Sequence, residues 1–405
     1  MTDDETVLLE KVHSLSDLEL ALLLSFTARQ HCIISTLPDV LDDLVQELQL
    51  VIDPFSLLSS LLSFRIPDTD THSRQISTKT FGLPCAVVNC DSSTTLDSFS
   101  SCLLTQQAAA QTPTATAWPN TTSDYFSLRE RHNEQQQQQQ SFPFTAGGAS
   151  SPRIANVVLV RNLDRAPQPV QIQALELLRL GRILTRTSAY SVPKPFLFIP
   201  VLGAESGGQA HVARHVNDHF FLSHWHDPDE GLVNLDGDVD EYGYGSSRGD
   251  DDTASTTESV VKTNPAVWDV QQAEAIITPN KDIDHLDRLQ SQVNTDIEVT
   301  RYQNNVISFL RMHRAVADGI SPAATKHLEL LSRCLAPLHG LTFVTPGLVG
   351  LAAAKVYQHR IRITPPEKER SMQWGSRVEA VESVLHHVGP EEVIEDVLGL
   401  VPAPL

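Results

Sequence analysis

The chain has 405 residues and a mass of 44.6 kDa, enough for about two or three domains around a real apolar core and too much for a stapled mini-scaffold. Its 30 Lys and Arg face 50 Asp and Glu, a formal charge of −20, which excludes a wide phosphate-tracking surface for nucleic acid and favours proteins or metals as partners. Five scattered cysteines with no CxxC pair, an acidic MTDDETVLLEK start and no apolar run of membrane-span length predict a soluble cytoplasmic or nuclear protein, with no disulfide framework, zinc ribbon or membrane partner.

In chain order, Ser16 and Glu19 form a capping-box pattern ahead of Leu18, Leu22 and Phe26, which predicts a helix ending near Arg29. The segment 31–36 reads as a buried strand closed by Pro38, with a second helix over 39–50. Residues 53–80 are Ser-rich, and 83–89 reads as another strand. From about 105 to 152 the composition turns to Gln, Ser, Thr and Ala, with six consecutive glutamines at 135–140, so a disordered insertion is expected. Order resumes with a strand over 156–160, a helix over 170–180 stopped by Gly181, a hairpin over 182–192 and a strand over 195–200.

Residues 227–252 carry ten acidic side chains against Arg248 alone, which predicts a second solvated insertion over about 229–264. Beyond Pro265 the pattern is helical throughout. Ser321-Pro322 and Thr345-Pro346 are N-cap and N1 pairs, Leu328, Leu331, Leu335 and Leu338 form an apolar stripe, and Gly340 is its stop. Ser376 with Glu379 reads as a third capping box, and Gly389-Pro390 opens the last helix. Strands separated by helices and then helices alone predict an α/β core over 1–264 and an all-α domain over 265–405.

Three segments carry a resemblance. Asp164-Arg-Ala-Pro-Gln-Pro, running through Gln-Ala-Leu-Glu-Leu-Leu to Gly181-Arg182, resembles the stretch after Walker B in MoxR-type AAA+ ATPases, the clade of the magnesium chelatase ATPase subunit. Gly319-Ile-Ser-Pro-Ala-Ala-Thr-Lys326, Leu338 to Pro346 and Tyr357-Gln-His-Arg-Ile361 resemble that clade's lid, and Val216-Asn-Asp-His-Phe220 its arginine-finger element. The likeness extends over about 16–50, 81–99, 154–227 and 280–365, and is greatest to fungal magnesium chelatase-like sequences. It implies an AAA+ fold: a parallel-sheet αβα core followed by a helical lid.

The same resemblance implies chemistry that the residues do not supply. A Walker A loop needs glycines, a Lys and a hydroxyl to hold phosphates and Mg²⁺. Here the strand runs into Thr36-Leu-Pro-Asp-Val-Leu-Asp-Asp43, without glycine, and Asp42 and Asp43 fall at the Lys and hydroxyl positions. Like charges about 4 Å apart repel by ~4 kcal/mol at an effective dielectric near 20, so a triphosphate is disfavoured. Arg161 and Asn162 replace the Walker B carboxylates, His219 replaces the finger and Ala323 the sensor-2 arginine. An arginine finger alone is worth ~10³–10⁵ in rate, and five such functions are missing together. The expectation is therefore no catalytic, cofactor or metal residues, and a protein-binding or assembly role, within a ring that other AAA+ subunits drive. An active ATPase with ATP and Mg²⁺ is the alternative. One route to a nucleotide-free state is an internal pair between Arg161 and Asp42.

Other patterns have simpler explanations. His211, His215 and His219 are spaced four apart and followed by His224 and His226, a spacing that can share a metal on a helix. The preceding Gly207-Gly208 and the acidic tract predict a loop with most of these rings facing solvent. The Asp236–Glu241 run lacks the sixth-position Gly and twelfth-position Glu of a calcium loop. Cys85 and Cys90 read as packing residues rather than a redox pair, and Arg360-Ile-Arg362 and Lys368-Glu-Arg370, which could form a local anion site, as helix-end or solvated charges.

Overall fold

The computed structural model describes residues 3–53, 80–105, 153–185, 188–236, 276–279 and 281–404. Most of the two expected insertions and the Ser-rich stretch lie outside the described residues. Helices α1 (Asp3–His13) and α2 (Asp17–Ala28) lead into strand β1 (His31–Thr36) and helix α3 (Leu41–Ile52). The capping box forms: Ser16 Oγ accepts from the Glu19 N–H, and the Glu19 carboxylate accepts from the Ser16 N–H at 2.9 Å. Arg29 ends α2 in the left-handed region at φ 52°. Glu19 also accepts from the Thr80 hydroxyl, so the cap is anchored to the chain returning toward β2 (Cys85–Asn89).

After β2 come helix α4 (Leu96–Cys102), a small ribbon of β3 (Leu104–Thr105) with β4 (Arg153–Ile154), and strand β5 (Val157–Arg161). Helix α5 (Gln168–Leu180) stops at Gly181, φ 61°, and the expected hairpin follows as β6 (Arg182–Leu184) and β7 (Ala189–Ser191). Strand β8 (Leu197–Gly203), the one-turn helix α6 (Arg214–Asn217) and strand β9 (Phe220–Trp225) complete this part. The five long strands form one parallel sheet in the order β2-β5-β8-β1-β9.

Because the sheet is covered on both faces, its strands are nearly continuous apolar runs whose alternate residues serve different cores. Val157, Leu159, Leu197, Ile199, Cys32 and Ile34 join the larger cluster with α2, α3 and the C-terminal helices. Val158, Val160, Phe198, Leu202 and Ile33 join the second cluster with α4 and α5.

The C-terminal third is built from α8 (Asp282–Gln292), α9 (Ile297–Met312), α10 (Pro322–Leu338), α11 (Pro346–Tyr357), α12 (Val378–Leu385) and α13 (Pro390–Leu400), preceded by the short α7 (Val233–Asp236) on the core side. Ser321 and Thr345 cap α10 and α11 as expected, each accepting a backbone N–H through its hydroxyl. Leu328, Leu331 and Leu338 are buried and Leu335 is half-buried against the same core; α10 packs on α2, α8 and α11.

Four expectations are corrected. The region beyond 265 is not wholly helical: β10 (Val316–Asp318) and β11 (Arg362–Ile363) pair antiparallel, joining the start of α10 to the end of α11. Ser376 caps nothing with its side chain, since Gly375 at φ 82° closes the preceding turn and α12 starts after Arg377, placing Glu379 one position too early for a box. The chain beyond 229 stays ordered through α7, because Glu47 accepts from the Asn234 and Leu235 N–H groups at 3.1 Å each. The rings of His224 and His226 are buried, not solvent-facing. Cys85 and Cys90 are free thiols, and burial pushes Cys90 up to about 12.

Candidate functional site

The resemblance directs attention first to the edge of the sheet where the parallel strands end. There β1 finishes at Thr36, residues 37–40 form the loop, and α3 starts with Asp42 and Asp43 in its first turn. Carboxylates suit that position, since the N-terminal turn of a helix carries partial positive charge. The loop lies directly on β8: a β-carbon on Gly203 would sit 3.2 Å from Pro38 Cα. Arg161 is the last residue of β5, in register with Val201, which is itself in register with Ile34. From that position its guanidinium reaches across and Nη2 pairs with Asp42 Oδ1 at 2.5 Å. The Arg161 and Asp42 side chains are 31% and 61% exposed, so solvent screens the pair and its net contribution is about 0–1 kcal/mol.

Asn162 follows in the left-handed region at φ 54°, its N–H bonded to the Val201 carbonyl at 3.0 Å. Thr36 Oγ1, Arg161 Nε and Asn162 Oδ1 are buried here without a hydrogen-bond partner. They are a hydroxyl, one guanidinium N–H and an amide oxygen. A triphosphate would need several converging N–H donors and a lysine.

His219 and Ala323 belong to the opposite edge. His219 precedes Phe220, whose partner in β1 is His31, so a full strand length, about 20 Å, separates it from the Asp42 loop. Ala323 lies in the first turn of α10, beside Ser321, whose hydroxyl donates to Asp218 Oδ1 at 2.5 Å. The six positions that the resemblance singles out therefore form two groups, Asp42, Asp43, Arg161 and Asn162 at one edge, His219 and Ala323 at the other.

The second edge is more deeply built. Arg360, whose side chain is 1% exposed, donates to Asp218 Oδ1 at 2.7 Å, to the Asp218 carbonyl at 3.2 Å and to the Phe220 carbonyl at 2.5 Å. It also donates to His327 Nδ1 at 2.6 Å, which holds that nitrogen as an acceptor. Burial, reinforced by Arg360, lowers His327 to about 4; burial lowers Arg360 to about 10 while Asp218 opposes the shift. Burial, with His219 beside it, lowers His31 to about 4. Burial also depresses His219, more than Asp218 restores it. The His359 carbonyl accepts from Asn217 Nδ2 at 2.7 Å and from His211 Nδ1 at 2.9 Å. Arg360 is thus an internal strut and not a helix-end charge.

A cleft of about 640 Å³ opens over this strut, between α5 and α6 on one side and 316–322 on the other. Its lining includes six arginines: Arg179, Arg214, Arg311, Arg360, Arg362 and Arg370. Sequence reading saw it only in part: Arg360-Ile-Arg362 and Lys368-Glu-Arg370 carry a local anion-site signal, whereas Arg179, Arg214 and Arg311 come from three other elements. Among the described residues no group of three His, Cys, Asp or Glu could hold a metal ion, and no helix is long and apolar enough to cross a membrane.

With this geometry in view, residues 308–384, from the end of α9 through α12, match the AAA lid domain family. A crystal structure of a candidate ATPase from Cytophaga hutchinsonii superposes with a TM-score of 0.56 at 12% identity, over 98% of this chain and 94% of that one. The chain has an AAA+ fold: a parallel αβα core and a helical lid. A full-length MCM homologue from Methanopyrus kandleri aligns at a TM-score of 0.39 and 9% identity, over 89% of this chain and 59% of that one. No curated protein matches in sequence.

An AAA+ fold implies ATP and Mg²⁺, and the residues of the Asp42 edge do not fit them. Two carboxylates open α3, Arg161 is committed to one of them, and Pro38 lies against the end of β8. No catalytic step is derived through a nucleotide.

Proposed function

We propose that this chain is a catalytically degenerate AAA+ protein, akin to MoxR and magnesium chelatase ATPase subunits, that serves as a protein-binding or assembly module. The observation that carries the reading is the Arg161–Asp42 pair at 2.5 Å. Residues that would have to become a Walker A lysine and a Walker B carboxylate have exchanged charge sign and now neutralise each other. The pair is thus a consistent end state for a site that has stopped holding phosphate. The two-part division at about residue 264 is the working domain boundary of the same reading, with other AAA+ subunits as the partners to look for.

Release of inorganic phosphate from MgATP by the full-length chain tests it. The expected rate is that of buffer, unchanged in the Arg161→Ala variant. Turnover above buffer that falls when Asp42 or Arg161 is substituted would return the chain to the active ATPases.

A further inference from the structure

In a chain with formal charge −20, the lid-side cleft gathers six of the 30 basic residues. Two carboxylates line it, Asp218 and Asp318, leaving an excess of four positive charges. Asp218 is taken by Arg360, and Asp318 is shared by Arg214 at 3.5 Å and Arg362 at 3.9 Å. Arg179, Arg311 and Arg370 have no carboxylate partner among the ion pairs of the described residues; Arg311 and Arg370 donate to the Ile320 and Met312 carbonyls at 3.3 and 3.2 Å. Arg360 Nε is buried and unpartnered beneath them. Such an arrangement repels itself unless an anion enters, and a concave wall of low dielectric focuses its field.

We propose that this cleft is a binding site for a compact polyphosphorylated small molecule. Guanidinium forks match phosphate oxygens in bidentate fashion, so several can share one ligand carrying several phosphates. The volume is that of a small-molecule pocket, not of an extended peptide groove. Six guanidiniums line it against two imidazole rings, His215 and His219, and no Phe, Tyr or Trp, so recognition of phosphate outweighs stacking on a base. The floor is rigid: Gly319, at φ 115°, packs so closely that a β-carbon would lie 2.0 Å from the Arg360 carbonyl oxygen. That contact ties the 316–322 loop to the Arg360–Arg362 segment, so arginines from core and lid face one space. The site is at the opposite sheet edge from Asp42, and its occupancy is independent of whether the Asp42 loop holds nucleotide.

Calorimetric titration of the full-length chain with myo-inositol hexakisphosphate, and separately with inorganic tripolyphosphate, at physiological salt tests the proposal. Saturable one-to-one binding of either is expected. Tighter binding of the first assigns a ring polyol phosphate, and tighter binding of the second a linear chain. Arg179→Glu with Arg214→Glu, both exposed, should weaken it about a hundredfold, because two attractions become repulsions. Arg301→Glu, an exposed reversal outside the cleft, should leave it unchanged. If the Glu double variant melts early, the Gln double variant is read instead, with about tenfold weakening expected. Absence of saturable binding, or equal weakening by Arg301→Glu, would overturn the proposal.

Discussion

The two edges of the parallel sheet treat charge in opposite ways. At the edge where the strands end, Arg161 and Asp42 meet in a pair that water largely screens. At the edge where they begin, Arg360 is buried, paired with Asp218 and bonded to backbone carbonyls of β9 and its approach. An exposed pair contributes little and can drift in evolution at small cost, whereas a buried guanidinium such as Arg360 is expensive to leave unpaired because it stays dehydrated. The first edge is where the catalytic functions implied by family resemblance are missing. The second joins core to lid. On the proposed reading, chemistry is surrendered at the edge where doing so costs little stability, and the joint between the two parts is kept.

The comparison can be broken or sharpened by substitution. The largest effect is expected from Leu331→Asp, which would put an unpaired charge into the apolar contact of α10 with α2 and α8; a loss of about 4 kcal/mol or more should appear in urea unfolding. A loss below ~0.5 kcal/mol would mean that the lid does not pack through this stripe. Next is Asp218→Ala, which leaves the buried Arg360 guanidinium without its carboxylate. A cost of about 3 kcal/mol is expected, and a cost as small as that at Asp42 would erase the contrast between the edges.

The third effect depends on pH. His327 has an ordinary value of 6.5 and is lowered to about 4 in the folded chain, so native protein resists protonation that the unfolded chain accepts. Its contribution is complete above pH 6.5 and is lost as pH falls from there toward 4. The steepest loss from this ring is about 1.4 kcal/mol per pH unit, and His327→Gln should flatten the acid limb of a stability profile by that amount. An unchanged slope would place the ring in a solvated setting. The smallest effect belongs to Asp42→Ala, within about 0.5 kcal/mol by the same unfolding assay.

Local signals were legible where short-range rules decide structure. The Ser16 capping box, the Pro322 and Pro346 helix starts, the Gly181 stop and the apolar runs of β1, β5 and β8 all follow from neighbours within a few residues. The Arg161–Asp42 pair could be expected because both residues sit at positions that a family pattern brings together. Long-range placement was harder. Ser376 has the right neighbour in Glu379, but Gly375 turns the chain and starts α12 later. His224 looked exposed beside Gly207-Gly208 and the acidic tract, yet β9 lies at the sheet edge beneath α11, where Lys355 Nζ approaches His224 Nδ1 at 3.3 Å and burial drives the ring to about 3. The arginine cleft draws on α5, α6, α9 and both sides of the β10–β11 ribbon, so only the folded topology assembles it.

The measurement that bears most directly on a surrendered nucleotide site is calorimetric titration of MgATP into the full-length chain at physiological salt. Wild type and the Arg179→Glu, Arg214→Glu double variant are run side by side, so that any contact with the basic cleft is separated from the Asp42 loop. The account predicts no saturable heat at millimolar MgATP in the double variant; any heat seen with the wild type is then that of the basic cleft. Saturable binding that survives in the double variant and is lost on substituting Arg161 would contradict it, since nucleotide would then be held where Arg161 and Asp42 now hold each other.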